Sequence, residues 1–153
     1  MTIDEVIADI ESLQGVLALR PQPGDGTPEI AWGDSFFYYA PDGVIPQTQP
    51  FATIITKDYP DDAGSRLGRP GAFRVNVAAG SSQFHRWTGH EPRDLPAAPI
   101  DPVDDVVLAH PVYGELGWLC VTNPGPHAGE SLLELVRSAH AAARARHERR
   151  DSL

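Results

Sequence analysis

Apolar residues at the start of the chain recur with the period of a helix. Ile3, Val6, Ile7, Ile10 and Leu13 fall on one stripe, and Asp4, Glu5, Asp9 and Glu11 lie on the other side. Thr2 can accept from the backbone of Glu5 while the Glu5 side chain reaches back, a capping box that marks the first turn. Gly15 is placed to end the helix in the left-handed conformation. The pattern predicts an amphipathic helix over residues 3–14.

The period then changes to that of strands. Val16 to Leu19 predicts a short strand, and Pro21, Pro23, Gly24 and Gly26 break the chain after it. Glu29–Trp32 and Ser35–Tyr39 flank Gly33-Asp34. A glycine first in a two-residue turn suits a type II′ hairpin, so these two runs are expected to pair. Pro41, Asp42-Gly43, Pro46 and Pro50 mark a connecting loop, and the β-rich run Phe51–Lys57 predicts the next strand. Residues 58–72 read as a long surface loop. Phe73-Arg74-Val75-Asn76-Val77 alternates cleanly, with Phe73, Val75 and Val77 toward the core and Arg74 and Asn76 on the other face.

Ser81 or Ser82 can cap a short helix carrying Phe84 and Trp87. The prolines from Pro92 to Pro102 predict an extended connector without ladder donors. Val106–Leu108 and Gly117–Val121 read as the last strands, with His110–Gly114 turning between them. Ser131 and Glu134 form a second capping box, and Leu132, Leu135, Val136, Ala139 and Ala143 give the final helix its apolar stripe. These elements predict an α+β fold: a single, mainly antiparallel meandering sheet with the N- and C-terminal helices packed on one face. Residues 1–149 are expected to form one domain and 150–153 a frayed tail. The strands alternate instead of running apolar throughout, so the second sheet face is expected to stay wet.

Composition narrows the setting more than the chemistry. A chain of 153 residues can bury roughly 68–70% of its unfolded surface without a disulfide or metal. Cys120 is the single cysteine, which excludes an intramolecular disulfide and a cysteine-based zinc site and fits a cytoplasmic setting. The first residues lack the basic-then-apolar pattern of a signal peptide, and no apolar run approaches the roughly 18 residues of a membrane span. No membrane partner is expected. Twelve Lys+Arg against 21 Asp+Glu give a net charge of −9, which repels phosphate backbones. Arg137, Arg144, Arg146, Arg149 and Arg150 cluster on the last helix, where cations complement the helix dipole. Nucleic acid is disfavoured as a partner, and oligomeric state is not legible.

Three stretches carry a likeness: Ile30 to Tyr39, Pro50 to Pro60, and His110-Pro111-Val112-Tyr113-Gly114. In these the chain resembles an actinobacterial family of unknown function over nearly its whole length. More distantly it resembles the MmcQ/YjbR-like proteins, through an N-terminal helix ending in a Gly-Val step, a meander with a Trp strand, and a C-terminal helix. That resemblance implies a compact α+β domain with an antiparallel sheet. It supplies no catalytic residues, and a DNA-binding label drawn from it conflicts with the negative charge.

Candidate chemistry is sparse. Gly125 to Ser131 places glycines before a helix, but the spacing is wrong for a phosphate loop and Glu130 stands where a lysine is needed. The six histidines include no supported ligand pair, and the Asp58, Asp61, Asp62 and Asp101, Asp104, Asp105 groups read as solvated loop carboxylates. No metal or cofactor is expected. Cys120 sits in an apolar strand and reads as a small hydrophobe. What remains is a polar and aromatic set: Lys57 and Asp58 at a strand end, Arg74 and Asn76 on the outward face, His110 and Tyr113 on a turn, with Trp32, Tyr38 and Trp118 as an aromatic wall. The bland alternative pairs Arg74 and Lys57 with acids, places the aromatics in the core and makes His110 a turn cap. The leading expectation is a non-enzymatic binding or regulatory module that takes a small molecule or a protein. The alternatives are an enzyme using His110 as general acid or base, and nucleic-acid binding through the arginine-rich helix.

Overall fold

A computed structural model describes residues 1–96 and 103–152. The expected extended connector from Pro92 to Pro102 lies partly outside them, and its described start, Pro92–Asp94, is a 3₁₀ turn. Helix α1 (Ile3–Glu11) opens with its capping box in place: the Glu5 N–H donates to Thr2 Oγ1 at 3.1 Å, and the Thr2 N–H to Glu5 Oε2 at 3.4 Å. After it, Gly15 takes φ +71° and the chain enters β1 (Val16–Leu19). Next come β2 (Ser35–Tyr39), β3 (Ala52–Ile55), β4 (Arg74–Ala78), α2 (Gly80–Thr88), β5 (Leu108–Ala109), β6 (Trp118–Thr122) and the long α3 (Gly129–Asp151).

The six strands form one antiparallel sheet in the order β1-β2-β3-β4-β6-β5. The first four strands meander, and β5 then takes the far edge so that β6 pairs with β4. Val6, Ile7 and Ile10 of α1, Phe84 of α2, and Leu132, Leu135, Val136 and Ala139 of α3 share one apolar core with the sheet. Phe37, Ile54, Val75, Val77, Leu119 and Val121 face them from the strands. The helices therefore cover one face, and burying each Val, Leu, Ile or Phe side chain contributes about 1.5–3 kcal/mol. The alternation of 73–77 is realised: Phe73, Val75 and Val77 lie in this core while Arg74 and Asn76 point through the other face.

Several local expectations are overturned. Glu29–Ala31 forms a 3₁₀ turn, not a strand, and β2 pairs with β1 and β3. The residue taken for a turn, Asp34, is instead a buried anchor. Its carboxylate accepts from the Thr56 N–H at 2.9 Å, Thr56 Oγ1 at 3.0 Å and Lys57 Nζ at 3.1 Å, and also from the Tyr59 hydroxyl. Helix α2 begins at Gly80 behind Ala79 with no side-chain cap, so neither Ser81 nor Ser82 serves. Ser131 does not cap α3 either. The Asp105 carboxylate takes the N–H groups of Gly125, His127 and Ala128 at 2.7–2.9 Å, bracing the turn that leads into the helix.

The largest correction concerns the second sheet face. It is not left wet. The segments preceding β2, following β3 and following β5 fold over it, so that Arg74 is 0% and Asn76 3% exposed. A guanidinium under such a cover needs a carboxylate, and the long loop after β3 delivers one.

Candidate functional site

The covered face encloses a cavity of about 500 Å³. Its floor is built from strand positions whose alternation sends polar side chains away from the helices: Thr53 of β3, and Arg74 and Asn76 of β4. The register sets Thr53 opposite Asn76, and Asn76 Nδ2 donates to Thr53 Oγ1 at 3.0 Å. Asn76 Oδ1 accepts from Arg74 Nε at 2.8 Å.

Arg74 is the hub. Nη1 donates to Asp62 Oδ1 and to Ser65 Oγ, both at 2.9 Å, and Nη2 donates to Asp62 Oδ2 at 2.5 Å. The Arg74–Asp62 pair is thus bidentate and almost fully buried. Burial alone would raise the Asp62 carboxyl, but the hydrogen bonds and charge of Arg74 hold it below the usual carboxylate range. Asp62 is 9% exposed, which corrects its reading as a solvated loop acid.

His110 closes the floor from the turn after β5. It is 3% exposed, and its Nδ1 accepts from the backbone N–H groups of Val112 at 3.0 Å and Tyr113 at 2.9 Å. Its Nε2 lies 3.1 Å from Arg74 Nη2. Burial, and then the charge of Arg74, pull the imidazole down to about 4 from 6.5, so the ring is neutral at pH 7. Tyr113 stands over it with ring centroids 5.0 Å apart, and Trp118 meets its edge.

The walls are apolar and aromatic. Phe36 and Tyr38 of β2, Ile55, and Trp118 of β6 form the sides. Ile30, Val112, Tyr113 and Leu116 stand at the mouth, with Leu116 73% and Tyr113 49% exposed. Tyr59 also lines the cavity, and burial together with its bond to Asp34 raises its phenol well above the ordinary value.

Of the nine residues singled out by the sequence, six line this cavity: Tyr38, Arg74, Asn76, His110, Tyr113 and Trp118. The other three stand behind it. Lys57 Nζ donates to the Trp32 carbonyl at 2.7 Å and pairs with Asp34, the Asp58 carboxylate accepts the Leu67 N–H at 2.9 Å, and Trp32 Nε1 donates to the Thr27 carbonyl at 3.2 Å. They hold the loops over the sheet. The sequence reading missed Asp62, Ser65, Tyr59 and Phe36. Asp62 had one available signal: an arginine in an alternating strand between Phe73 and Val75 needs a carboxylate from somewhere else in the chain.

Elsewhere the chemistry is quiet. Burial pushes the Cys120 thiol up to about 12, so it is not a nucleophile at neutral pH. Among the described residues, no group of three or more His, Cys, Asp and Glu could hold a metal ion, and no helix is long and apolar enough to cross a membrane.

Fold and cavity together define an α+β domain with a single antiparallel sheet, helical on one face and loop-covered over a cavity on the other. The chain belongs to a family of unknown function (DUF6194), whose model matches residues 1–152. No curated protein and no solved structure matches it.

Proposed function

We propose that this chain is a non-enzymatic binding module that takes a small organic molecule into the cavity on the second sheet face. One observation carries the reading: six of the polar and aromatic residues picked from four separate stretches of sequence converge on one space of about 500 Å³. That volume is within the usual range of about 300–1,000 Å³ for ligand sites, which combine apolar walls with a few fixed polar groups. Here the polar groups are held by one another, so the site is formed before any ligand arrives.

Use of His110 as a general base finds less support. Its Nδ1 is occupied by two backbone donors, its pKa of about 4 lies far below a neutral operating pH, and Asp58 is turned toward Leu67. The nucleic-acid reading is weakened by pairing on the last helix, where Arg137 meets Asp9 and Arg144 meets Glu148. A cytoplasmic setting and a distant MmcQ/YjbR-like architecture belong to the same proposal.

The test is a thermal-shift screen against a metabolite panel. A compound at a hundred times its Kd stabilises the fold by about 2.7 kcal/mol. The shift is expected to vanish in Tyr113→Ala and Leu116→Glu, whose side chains are exposed enough to leave the fold intact. A saturable ligand indifferent to both changes would place the site elsewhere and refute the proposal.

A further inference from the structure

The charges around the cavity do not balance. Arg74 and Asp62 form a closed ion pair on the floor, and His110, neutral at pH 7, adds no charge. Lys57 stands behind Tyr59, 6.0 Å from its ring, and is matched by Asp34. Asp61 also lines the cavity, and its side chain has no hydrogen-bond or ion-pair partner among the described residues. Two aspartates therefore stand against one arginine in the described lining. The excess is negative, in a chain whose net charge of −9 already draws cations toward its surface.

The walls supply a matching surface. Phe36 and Tyr38 stand two apart on β2 and share its cavity face, while Trp118 opens β6 on the far side of β3 and β4. At about 4.8 Å per strand, the two aromatic walls rise from backbones about 14 Å apart. Thr53 and Asn76 lie on the floor between them. Tyr113 adds a ring at the mouth. Ring faces carry negative charge density and attract cations, most strongly where water is excluded.

We infer that the cavity takes the methylated ammonium group of a small organic cation, with Asp61 as its counter-charge and Phe36, Tyr38, Tyr113 and Trp118 around it. A fully methylated ammonium has no N–H group to satisfy, whereas a primary one carries three. Asp62 and the Asn76 side-chain oxygen are already engaged by Arg74, which favours the methylated group. A carboxylate or phosphate would bring its own negative charge against Asp61 and the ring faces. This inference rests on the binding reading and specifies its ligand class.

The experiment uses the whole ¹⁵N-labelled chain at pH 7 and three probes of nearly one shape. They are phenyltrimethylammonium, its uncharged carbon analogue tert-butylbenzene, and the anion benzenesulfonate. Binding is read from the Trp118 indole and the Tyr113 and Leu116 amides in ¹⁵N–¹H correlation spectra. Phenyltrimethylammonium is expected to shift these signals saturably and to bind at least about tenfold more tightly than either comparison, a difference of about 1.4 kcal/mol. Asp61 is exposed, so Asp61→Asn is expected to keep the fold. That change should weaken the cation at least about threefold and leave tert-butylbenzene unaffected. A smaller preference over either comparison, a smaller loss in Asp61→Asn, or shifts confined to other residues overturns the inference while leaving the cavity reading standing. If no probe moves these signals but the metabolite panel yields a ligand lost in Tyr113→Ala and Leu116→Glu, the inference alone falls. If the panel also stabilises nothing, both fall together.

Discussion

The neutral, buried imidazole of His110 makes fold stability depend on pH in a predictable window. A pKa held at about 4 in the folded chain against 6.5 in the unfolded one means that, between those values, the unfolded state binds more protons. Stability is therefore fully present above 6.5 and lost as pH falls toward 4. The displacement corresponds to about 3 kcal/mol in all, of which about 2 kcal/mol is lost between pH 7 and pH 5. The groups packed on the ring are Arg74 from β4, Asp62 from the loop after β3, Tyr113 from its own turn and Trp118 from β6. Asp62 is held below the usual carboxylate range, so it stays ionised through the window and does not mimic the effect. The assay is urea unfolding followed by tryptophan fluorescence, from pH 7 to pH 5, for the native chain and His110→Asn. Asparagine can still cap the turn through its side-chain oxygen. The remaining histidines are common to both proteins, so their contributions cancel in the difference. The native chain is expected to lose about 2 kcal/mol more than the variant. Parallel pH profiles, within about 0.5 kcal/mol, would refute the account of a neutral His110 pressed against Arg74.

Three further outcomes follow from the packing. Arg74→Met alone leaves Asp62 buried and unpaired and is expected to cost about 3–5 kcal/mol in urea unfolding, whereas Arg74→Met with Asp62→Leu should cost much less than the sum of the single changes. Gly15→Ala forces a side chain into φ +71° with its Cβ 2.7 Å from Tyr39 Cε1, so a loss of at least about 1–2 kcal/mol is expected, partly relieved in a Tyr39→Leu background. Asp105→Ala removes the acceptor for three N–H groups at the start of α3, and hydrogen exchange at Gly125, His127 and Ala128 should accelerate while the amides of β4 keep their protection.

How much was legible depended on how local each cause is. The helix stripes, the Thr2–Glu5 box and the alternation of 73–77 are settled by neighbours three or four residues apart at most, and all appear in the structure. The Glu29–Tyr39 hairpin failed because its apparent turn residue answers to partners more than twenty residues away. Asp34 binds Thr56, Lys57 and Tyr59, and nothing local announces that. The start of α3 failed for the same reason, since the turn into it is held by Asp105 across the loop. The site divides along this line too. Strand alternation placed Arg74 and Asn76 on one face, and the turn after β5 put His110 and Tyr113 beside them. The partner that pairs with Arg74, Asp62, arrives on a glycine-rich loop whose path no periodicity encodes.

That division bears on what the second face is for. A buried ion pair is weak evidence for stability, because apolar side chains of similar volume would pack the same space with less desolvation. The chain nevertheless commits Arg74, Asp62, Ser65, Asn76, Thr53 and His110 to a connected polar floor beneath a cavity of about 500 Å³ with aromatic walls. Fixed polar groups beneath apolar walls are the combination by which binding sites orient what they hold.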